Sequence, residues 1–308
     1  MRVPTHPQSR RAYAALGAVC ILWGTTYVGI RIALESMTPA MVMFLRYVLS
    51  SVLMMAAVGV TGATFPRGRE LWRTAFNGVV TIGVGTGSLA FSQLWLPSGV
   101  AAMIVTTQPF WMVGTEAWLS RERLHWPSVR GMLIGLAGGV VLFWPTVFEG
   151  RSTGLRRGDL LAGFALLQFG ALAWSLGSIQ QRNTRSAVHP FVSGAIQQVA
   201  TAVVFAVPAL VGPHPEQWSP RGLGAVAYLA IFGGVIGYSS FIYAMHHLPV
   251  ALVSIYTYVN PIVAVFLGWL FFREPFGWRE AAAMLIIFAG VTVVKRASVP
   301  LRRAAAAE

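Results

Sequence analysis

The sequence predicts an all-α integral membrane protein with ten transmembrane helices, arranged as two five-helix repeats of opposite orientation. Three observations predict this fold class: the composition, a series of apolar segments, and an internal repeat. Of the 308 residues, 56% are hydrophobic and only 11% are charged, whereas a soluble domain carries about 25% charged residues. The chain must therefore bury most of its surface in lipid or within itself.

The apolar segments are long enough to cross a bilayer, which takes about 20 residues per helix. Proline and glycine separate them, and both residues interrupt helices. Basic Arg10 and Arg11 before the first segment resemble a signal peptide, but that segment is longer than a signal peptide's apolar core. We therefore predict an uncleaved first helix. The predicted spans are 13–34, 40–60, 72–94, 99–119, 127–144, 159–180, 190–211, 223–245, 250–271 and 279–295.

The distribution of basic residues predicts the orientation of these spans. If the N-terminus is cytoplasmic, 15 basic residues lie on the cytoplasmic side and 6 on the outer side, as the positive-inside rule requires. We therefore expect a multi-pass protein of the cell (inner) membrane, with cytoplasmic tails at 1–11 and 298–308. The net charge is +13, and the basic residues are scattered over short segments. We therefore expect no nucleic-acid-binding surface.

The second half of the chain repeats the first half. Two offsets, 152 and 151 positions, bring uncommon residues into register, whereas chance similarity between apolar helices would align leucine and valine. The predicted repeats are 12–145 and 155–297. The matched pairs include Leu96-Pro97 with Leu248-Pro249, Pro109 with Pro261, Trp126 with Trp278, and Trp23 with Trp174.

Each predicted repeat contains an odd number of spans, so the second repeat enters the membrane from the opposite side. Inverted repeats are typical of secondary transporters, because two such halves can expose one central site to each side in turn. An ancestral duplication without a mechanistic role is the alternative interpretation.

Several motifs resemble those of EamA-type members of the drug/metabolite transporter superfamily. They are the segment from Leu22 to Tyr27 (LWGTTY), Arg46-Tyr47, the segment 97–102 (PSGVAA) and the segment 256–264 (YTYVNPIVA). The resemblance covers about residues 12 to 297. It implies ten helices, two EamA repeats, cytoplasmic termini and a central cavity that exports metabolites, commonly amino acids or other small organic solutes.

Two prolines are candidates for the substrate-binding site. Pro109 and Pro261 lie near the centre of their predicted helices, where each is expected to remove a helix hydrogen bond. Each follows an amide side chain, Gln108 or Asn260, which adds polar groups at the same depth. A simple packing kink is the alternative.

Aromatic residues supply the other substrate-binding candidates. Trp23 and Trp174 lie deep in their predicted spans, although indole rings usually gather at membrane interfaces. Tyr27 is a similar candidate, and Tyr256 shares a helix face with Asn260 because the two are four residues apart. These side chains would form a cavity wall, and tight helix packing is the alternative.

Two charged residues are candidates for charge or proton coupling. Arg46 lies within the second span, where an unpaired charge is costly and therefore a functional candidate; a snorkelling or structural role is the alternative. Glu116 lies near a helix end, close to Arg121 and Arg123. We weigh a titratable coupling carboxylate there against a surface ion pair.

The sequence contains little that favours catalysis. Cys20 is the sole cysteine, Asp159 is the sole aspartate, and the adjacent His246 and His247 point in different directions on a helix. We expect no enzymatic activity, no cofactor and no metal. The expected partners are a small-molecule substrate and the lipid bilayer, without nucleic acid. A non-transporting membrane assembly or sensory subunit is the alternative function.

Overall fold

The structure, a computed structural model, describes residues 7–61, 64–96, 101, 104–121, 123–147, 157–184, 188–213, 218–272 and 277–305. These residues are nearly all helical and contain no strand. The helices are α1 (Pro7–Leu34), α2 (Pro39–Thr61), α3 (Gly68–Ser92), α4 (Gln108–Ser120), α5 (Trp126–Val147), α6 (Arg157–Asn183), α7 (Pro190–Val211), α8 (Pro220–His247), α9 (Tyr256–Phe272) and α10 (Trp278–Ala305). One turn of helix, Val250–Val253, precedes α9.

Within this described part, six helices are long and apolar enough to cross a membrane. They are α1, α2, α3, α6, α7 and α8. Their bounds agree with the predicted spans to within a few residues, and α7 has the predicted bounds, 190–211. Helix also extends into both predicted tails, because α1 begins at Pro7 and α10 continues to Ala305. The other four predicted spans remain predictions.

Large apolar side chains cover the outside of the bundle, which a soluble protein rarely allows over so wide an area. Indole rings lie at helix ends: Trp72 is 75% exposed near the start of α3, and Trp278 is 81% exposed at the start of α10. Exposed tryptophans at helix ends are typical of membrane interfaces. The chain is therefore a multi-pass membrane protein.

Local chemistry explains several helix starts. Pro190 and Pro220 stand in the first turn of α7 and α8, where a missing N–H costs nothing. The residue before each proline caps the helix. The Ser219 hydroxyl accepts a hydrogen bond from the Gly222 amide at 2.8 Å, and the His189 ring accepts one from the Phe191 amide at 3.3 Å.

The structure corrects the prediction for Pro109. A tight turn at Thr106 and Thr107 precedes α4, and the Thr107 amide donates to the Ile104 carbonyl at 3.1 Å. Helix α4 therefore begins at Gln108, and Pro109 lies in its first turn, where the N–H that proline lacks would have no partner inside the helix. The prediction that Pro109 interrupts a helix is wrong, whereas Pro261 does lie inside α9.

Helices α3 and α8 each contain a π-helical segment near their middle, Val79–Thr86 and Leu229–Gly237. Both segments are rich in glycine, and they occupy matching positions when the sequence is shifted by 150 residues. Because π-helical geometry widens the backbone and frees carbonyl groups, it is common at functional sites.

Pairs of helices pack across the bundle in a regular pattern. Helix α2 packs along α7, and α5 packs along α10. Helix α1 contacts α8 and α9, and α6 contacts α3 and α4. The first helix of each half therefore contacts the third and fourth helices of the other half.

The α5–α10 crossing brings two helix backbones close together. A Cβ atom at Gly290 would lie 2.5 Å from the Gly135 nitrogen, and one at Gly131 would lie 2.7 Å from the Val294 nitrogen. Only residues without a side chain allow backbones to approach this closely.

Candidate functional site

A central cavity lies between α1, α2, α3, α4, α6, α7, α8 and α9, and it contains about 800 Å³ of empty space including its opening. Its lining extends from the middle of the bundle toward the end where α1 and α3 finish. Seven of the ten candidate residues predicted from the sequence line this cavity. They are Trp23, Tyr27, Arg46, Gln108, Trp174, Tyr256 and Asn260.

Trp23, Trp174 and Tyr256 line the cavity and pack with Phe241 into an aromatic cluster. The Trp23 ring centroid lies 5.3 Å from that of Trp174 and 5.0 Å from that of Tyr256, both edge to face. Phe241 packs 5.1 Å from Trp23 and 5.2 Å from Trp174. Edge-to-face pairs bring the positive ring edge to the negative ring face, so the four rings form a fixed apolar surface.

The π-helical segment of α8 holds Trp23 in place. The Trp23 Nε1 donates to the Gly233 carbonyl at 3.1 Å, and a Cβ at Gly237 would lie 2.5 Å from the same nitrogen. The indole therefore depends on the Gly233 carbonyl as its hydrogen-bond acceptor and on the absence of a side chain at Gly237. A serine or threonine at position 237 would displace the ring.

Two amide side chains anchor helices beside the cavity. The Gln108 Nε2 donates to the Ala171 carbonyl at 3.0 Å and to the Ser175 hydroxyl at 2.9 Å. The Asn260 amide, oriented so that its nitrogen faces acceptors, donates to the Tyr256 carbonyl at 2.9 Å and to the Cys20 carbonyl at 3.0 Å. These bonds connect α4 to α6 and α9 to α1.

Arg46 is the charged residue among the described residues of the cavity lining, and its exposed fraction is only 5%. Its guanidinium lies over the ring of Tyr47, with 5.1 Å from Cζ to the centroid. The Nε atom is buried without a hydrogen-bond partner. Arg46 therefore places a cation among neutral walls.

A polar chain of three side chains, which the sequence analysis missed, lies beyond the aromatic cluster. The Tyr238 hydroxyl donates to Gln197 Oε1 at 2.6 Å, and Gln197 Nε2 donates to Asn77 Oδ1 at 3.0 Å. Asn77 in turn donates to the Gly177 carbonyl at 2.9 Å. Tyr238 lines the central cavity, so the chain leads away from it.

A second pocket begins where the polar chain ends, with about 660 Å³ of empty space. It lies where α3 and α7 begin and where α6 and α8 finish. Asn77, Gln180, Gln197 and His246 are among its lining residues. The aromatic cluster and the polar chain therefore separate two pockets that extend toward opposite ends of the bundle.

Gln198 is a further lining residue that the sequence analysis missed. Its Nε2 donates to the Gly234 carbonyl at 3.0 Å, and its Oε1 accepts from the Ser50 hydroxyl. The adjacent pair Gln197-Gln198 stands inside an apolar run. Two consecutive buried amides in a predicted span are the signal that would have identified both residues.

Three candidates lie outside the cavity lining. Pro109 and Pro261 are buried but do not line it. Glu116 forms an ion pair with Arg182, 2.7 Å from Oε1 to Nη1, in which both side chains are partly exposed. This pair joins α4 to α6 away from the cavity, whereas the sequence placed Arg121 and Arg123 beside Glu116.

Comparisons with known proteins agree with this architecture. The model of the EamA-like transporter family matches residues 10–144 and again 161–296. The chain is 32% identical to a protein of Escherichia coli strain K12 described as an uncharacterized inner membrane transporter, YedA, over 91% of this chain and 90% of that protein. It is 24% identical to a probable terminal-alkyne amino-acid exporter of Streptantibioticus cattleyicolor, over 96% of this chain and 97% of that protein.

A solved crystal structure shares the fold. It aligns with a TM-score of 0.80 at 22% sequence identity, and the alignment covers 94% of this chain and 98% of the other. The names of the family and of the relatives indicate transporters rather than enzymes. The family match covers most of the chain in two consecutive segments, and this chain therefore belongs to the EamA-like transporter family.

Proposed function

We propose that the protein is a secondary transporter that exports small organic metabolites, such as amino acids or related solutes, by alternating access through the central cavity. Such a carrier needs one central site that opens to one side at a time. The observation that carries the proposal is the pair of pockets separated by the aromatic cluster and the polar chain.

The packing pattern supports an inverted repeat of five helices. If α6–α10 repeat α1–α5, then α2 and α7 are mates, and so are α5 and α10; both pairs contact each other. The contact of α1 with α9 corresponds to that of α6 with α4, and the contact of α1 with α8 to that of α6 with α3. Every one of these contacts has its symmetric counterpart. We therefore propose ten spans, in repeats 12–145 and 155–297.

The positions of the two ends support termini on one side of the membrane. The Lys295 ammonium, at the end of the predicted tenth span, lies 5.5 Å from the ring centroid of Tyr13, at the start of the predicted first span. With the basic residues placed as the positive-inside rule requires, this end is cytoplasmic. The central cavity would then extend toward the outer side and the second pocket toward the cytoplasm.

Symmetry-related residues line the two pockets. Arg46 and Gln197 coincide when the sequence is shifted by 151 positions. Arg46 lines the central cavity and Gln197 lines the second pocket. Exchange of the two halves' conformations would close one pocket and open the other, which is the motion that alternating access requires.

The chemistry of the cavity supports a small organic solute. The aromatic rings and amides of its lining can contact an apolar body and polar groups together. The Streptantibioticus relative named a probable amino-acid exporter supports amino acids as one substrate group.

A flux panel tests the function. Purified protein in lipid vesicles is assayed with labelled amino acids, nucleosides and cationic drugs, with and without a pH gradient. We expect saturable flux of at least one solute, and we expect Asn260→Leu to reduce that flux while the protein still inserts. Absence of flux for every solute, with correct insertion, would instead favour the non-transporting membrane subunit.

An accessibility experiment tests the topology. Single tags are placed within 148–156 and at the C-terminus, and each is labelled with an impermeant reagent in intact cells. We expect labelling of the first tag only. Labelling of both tags, or of neither, would contradict the inverted arrangement.

A further inference from the structure

The buried cation Arg46 has no counter-charge among the residues that the structure describes. The ion pairs found among the described residues are Arg182 with Glu116 and Arg221 with Glu35, so no described carboxylate neutralises Arg46. A buried charge is unfavourable unless it is paired or hydrogen-bonded. The Tyr47 ring offers partial compensation, but the Nε atom remains unsatisfied.

The backbone of α8 leaves room for this guanidinium. A Cβ at Gly233 would lie 2.8 Å from Arg46 Nη2, so any other residue there would push the side chain away. The same glycine accepts the hydrogen bond from Trp23 at 3.1 Å. Gly233 therefore brings the guanidinium and the edge of the aromatic cluster next to each other.

The other described residues that line the cavity have no charged side chains. They are aromatic, aliphatic, amide or hydroxyl residues and glycines. The described lining therefore carries one positive charge beside an aromatic surface. A monoanion matches this charge, whereas a phosphate dianion would leave one charge unpaired in a largely apolar site.

We propose that the cavity recognises solutes through a carboxylate that binds Arg46, while the apolar part of the same solute packs on the aromatic cluster. This inference rests on the proposed transport function and defines its substrate class as organic carboxylates, including zwitterionic amino acids. An arginine fork suits a carboxylate because two N–H groups can bind its two oxygens together. Cationic solutes without a carboxylate are excluded by repulsion.

Binding of matched probes tests the inference. The full-length protein in detergent is titrated by calorimetry with phenylalanine, leucine and 3-phenylpropionate, and with the amide of each. The pair 3-phenylpropionate and 3-phenylpropionamide differs in charge but hardly in shape. We expect each carboxylate to bind about tenfold to hundredfold more tightly than its amide, since hydrogen bonds to a charged group are worth about 1.5–3 kcal/mol.

Three variants assign this preference to one residue. Arg46→Gln should abolish the preference, and Arg46→Lys should keep part of it because the charge remains but the fork is lost. Arg221→Gln removes an exposed arginine elsewhere and should keep the full preference. Thermal unfolding shows whether each variant is folded, and Arg46→Lys provides the test if Arg46→Gln does not fold.

Binding and flux results separate this inference from the transport function. Amides that bind as tightly as carboxylates, a preference that survives in Arg46→Gln, or no carboxylate binding at all would overturn it. Flux of another solute class in the vesicle panel would then leave the carrier function intact. Carboxylate binding that depends on Arg46, together with no flux of any solute, would support the site and refute the carrier.

Discussion

Substitution of Gly290 by alanine tests the close approach of α5 and α10. The added Cβ would lie 2.5 Å from the Gly135 nitrogen and 2.7 Å from the Gly131 carbonyl oxygen. Both neighbours are backbone atoms, so no side chain can rotate away and the two helices must separate.

The expected magnitude follows from two opposing effects. Overpacking of a close contact costs about 1–3 kcal/mol. Alanine in place of glycine within a helix recovers about 1 kcal/mol. We therefore expect Gly290→Ala to lower the free energy of unfolding by up to about 2 kcal/mol. Gly114→Ala is the matched control, because Gly114 is also helical but nothing lies within 4 Å of its added Cβ, and it should be neutral or slightly stabilising.

Thermal unfolding of the two variants in the same detergent measures the difference. We expect the unfolding midpoint to fall for Gly290→Ala and to stay equal or rise for Gly114→Ala. Equal shifts of both midpoints, or a higher midpoint for Gly290→Ala, would refute the close crossing. The same comparison under urea shows whether the loss is thermodynamic.

Three further predictions concern the site and its surroundings. Tyr238→Phe leaves the buried Gln197 oxygen without its 2.6 Å hydrogen bond, so stability should fall by about 1–3 kcal/mol; an unchanged unfolding midpoint would contradict the polar chain. Exchange of Glu116 and Arg182 (Glu116→Arg with Arg182→Glu) should retain the partly exposed ion pair and change stability by less than about 1 kcal/mol. The pH profile of flux should not change. A shifted profile would instead assign proton coupling to Glu116. Trp174→Ala opens the aromatic cluster and should reduce flux by at least about tenfold, because each aromatic pair contributes about 0.5–1.5 kcal/mol. Normal flux would exclude the cluster from the substrate site.

Much of the fold was predictable because membrane helices have a strong compositional signature. The bounds of α7 were predicted without error, since Pro190 and the polar residues around it end the neighbouring segments sharply. The start of α4 was not, because the turn at Thr106 and Thr107 depends on local hydrogen bonds that apolarity does not encode. The π-helical segments also lack a clear sequence signal apart from clustered glycines.

The candidate site was predictable where a residue type is unusual in the middle of a membrane-spanning segment. Trp23, Trp174 and Arg46 are unusual in the middle of apolar runs, and the structure brings them to one cavity. Tyr238 and Asn77 escaped notice because each is ordinary in its own helix, and their importance comes only from partners on other helices. Interhelical hydrogen bonds cannot be read from one segment at a time.

The π-helical segment of α8 makes this helix intolerant of small deletions. Removal of one residue between 229 and 237 would let this segment wind as a regular α-helix, because π-helical turns hold more residues than α-helical turns. Gly233 would then lose its present position against Trp23 and Arg46. Length variation in this helix should therefore be rare among functional variants, even where amino-acid exchange is tolerated.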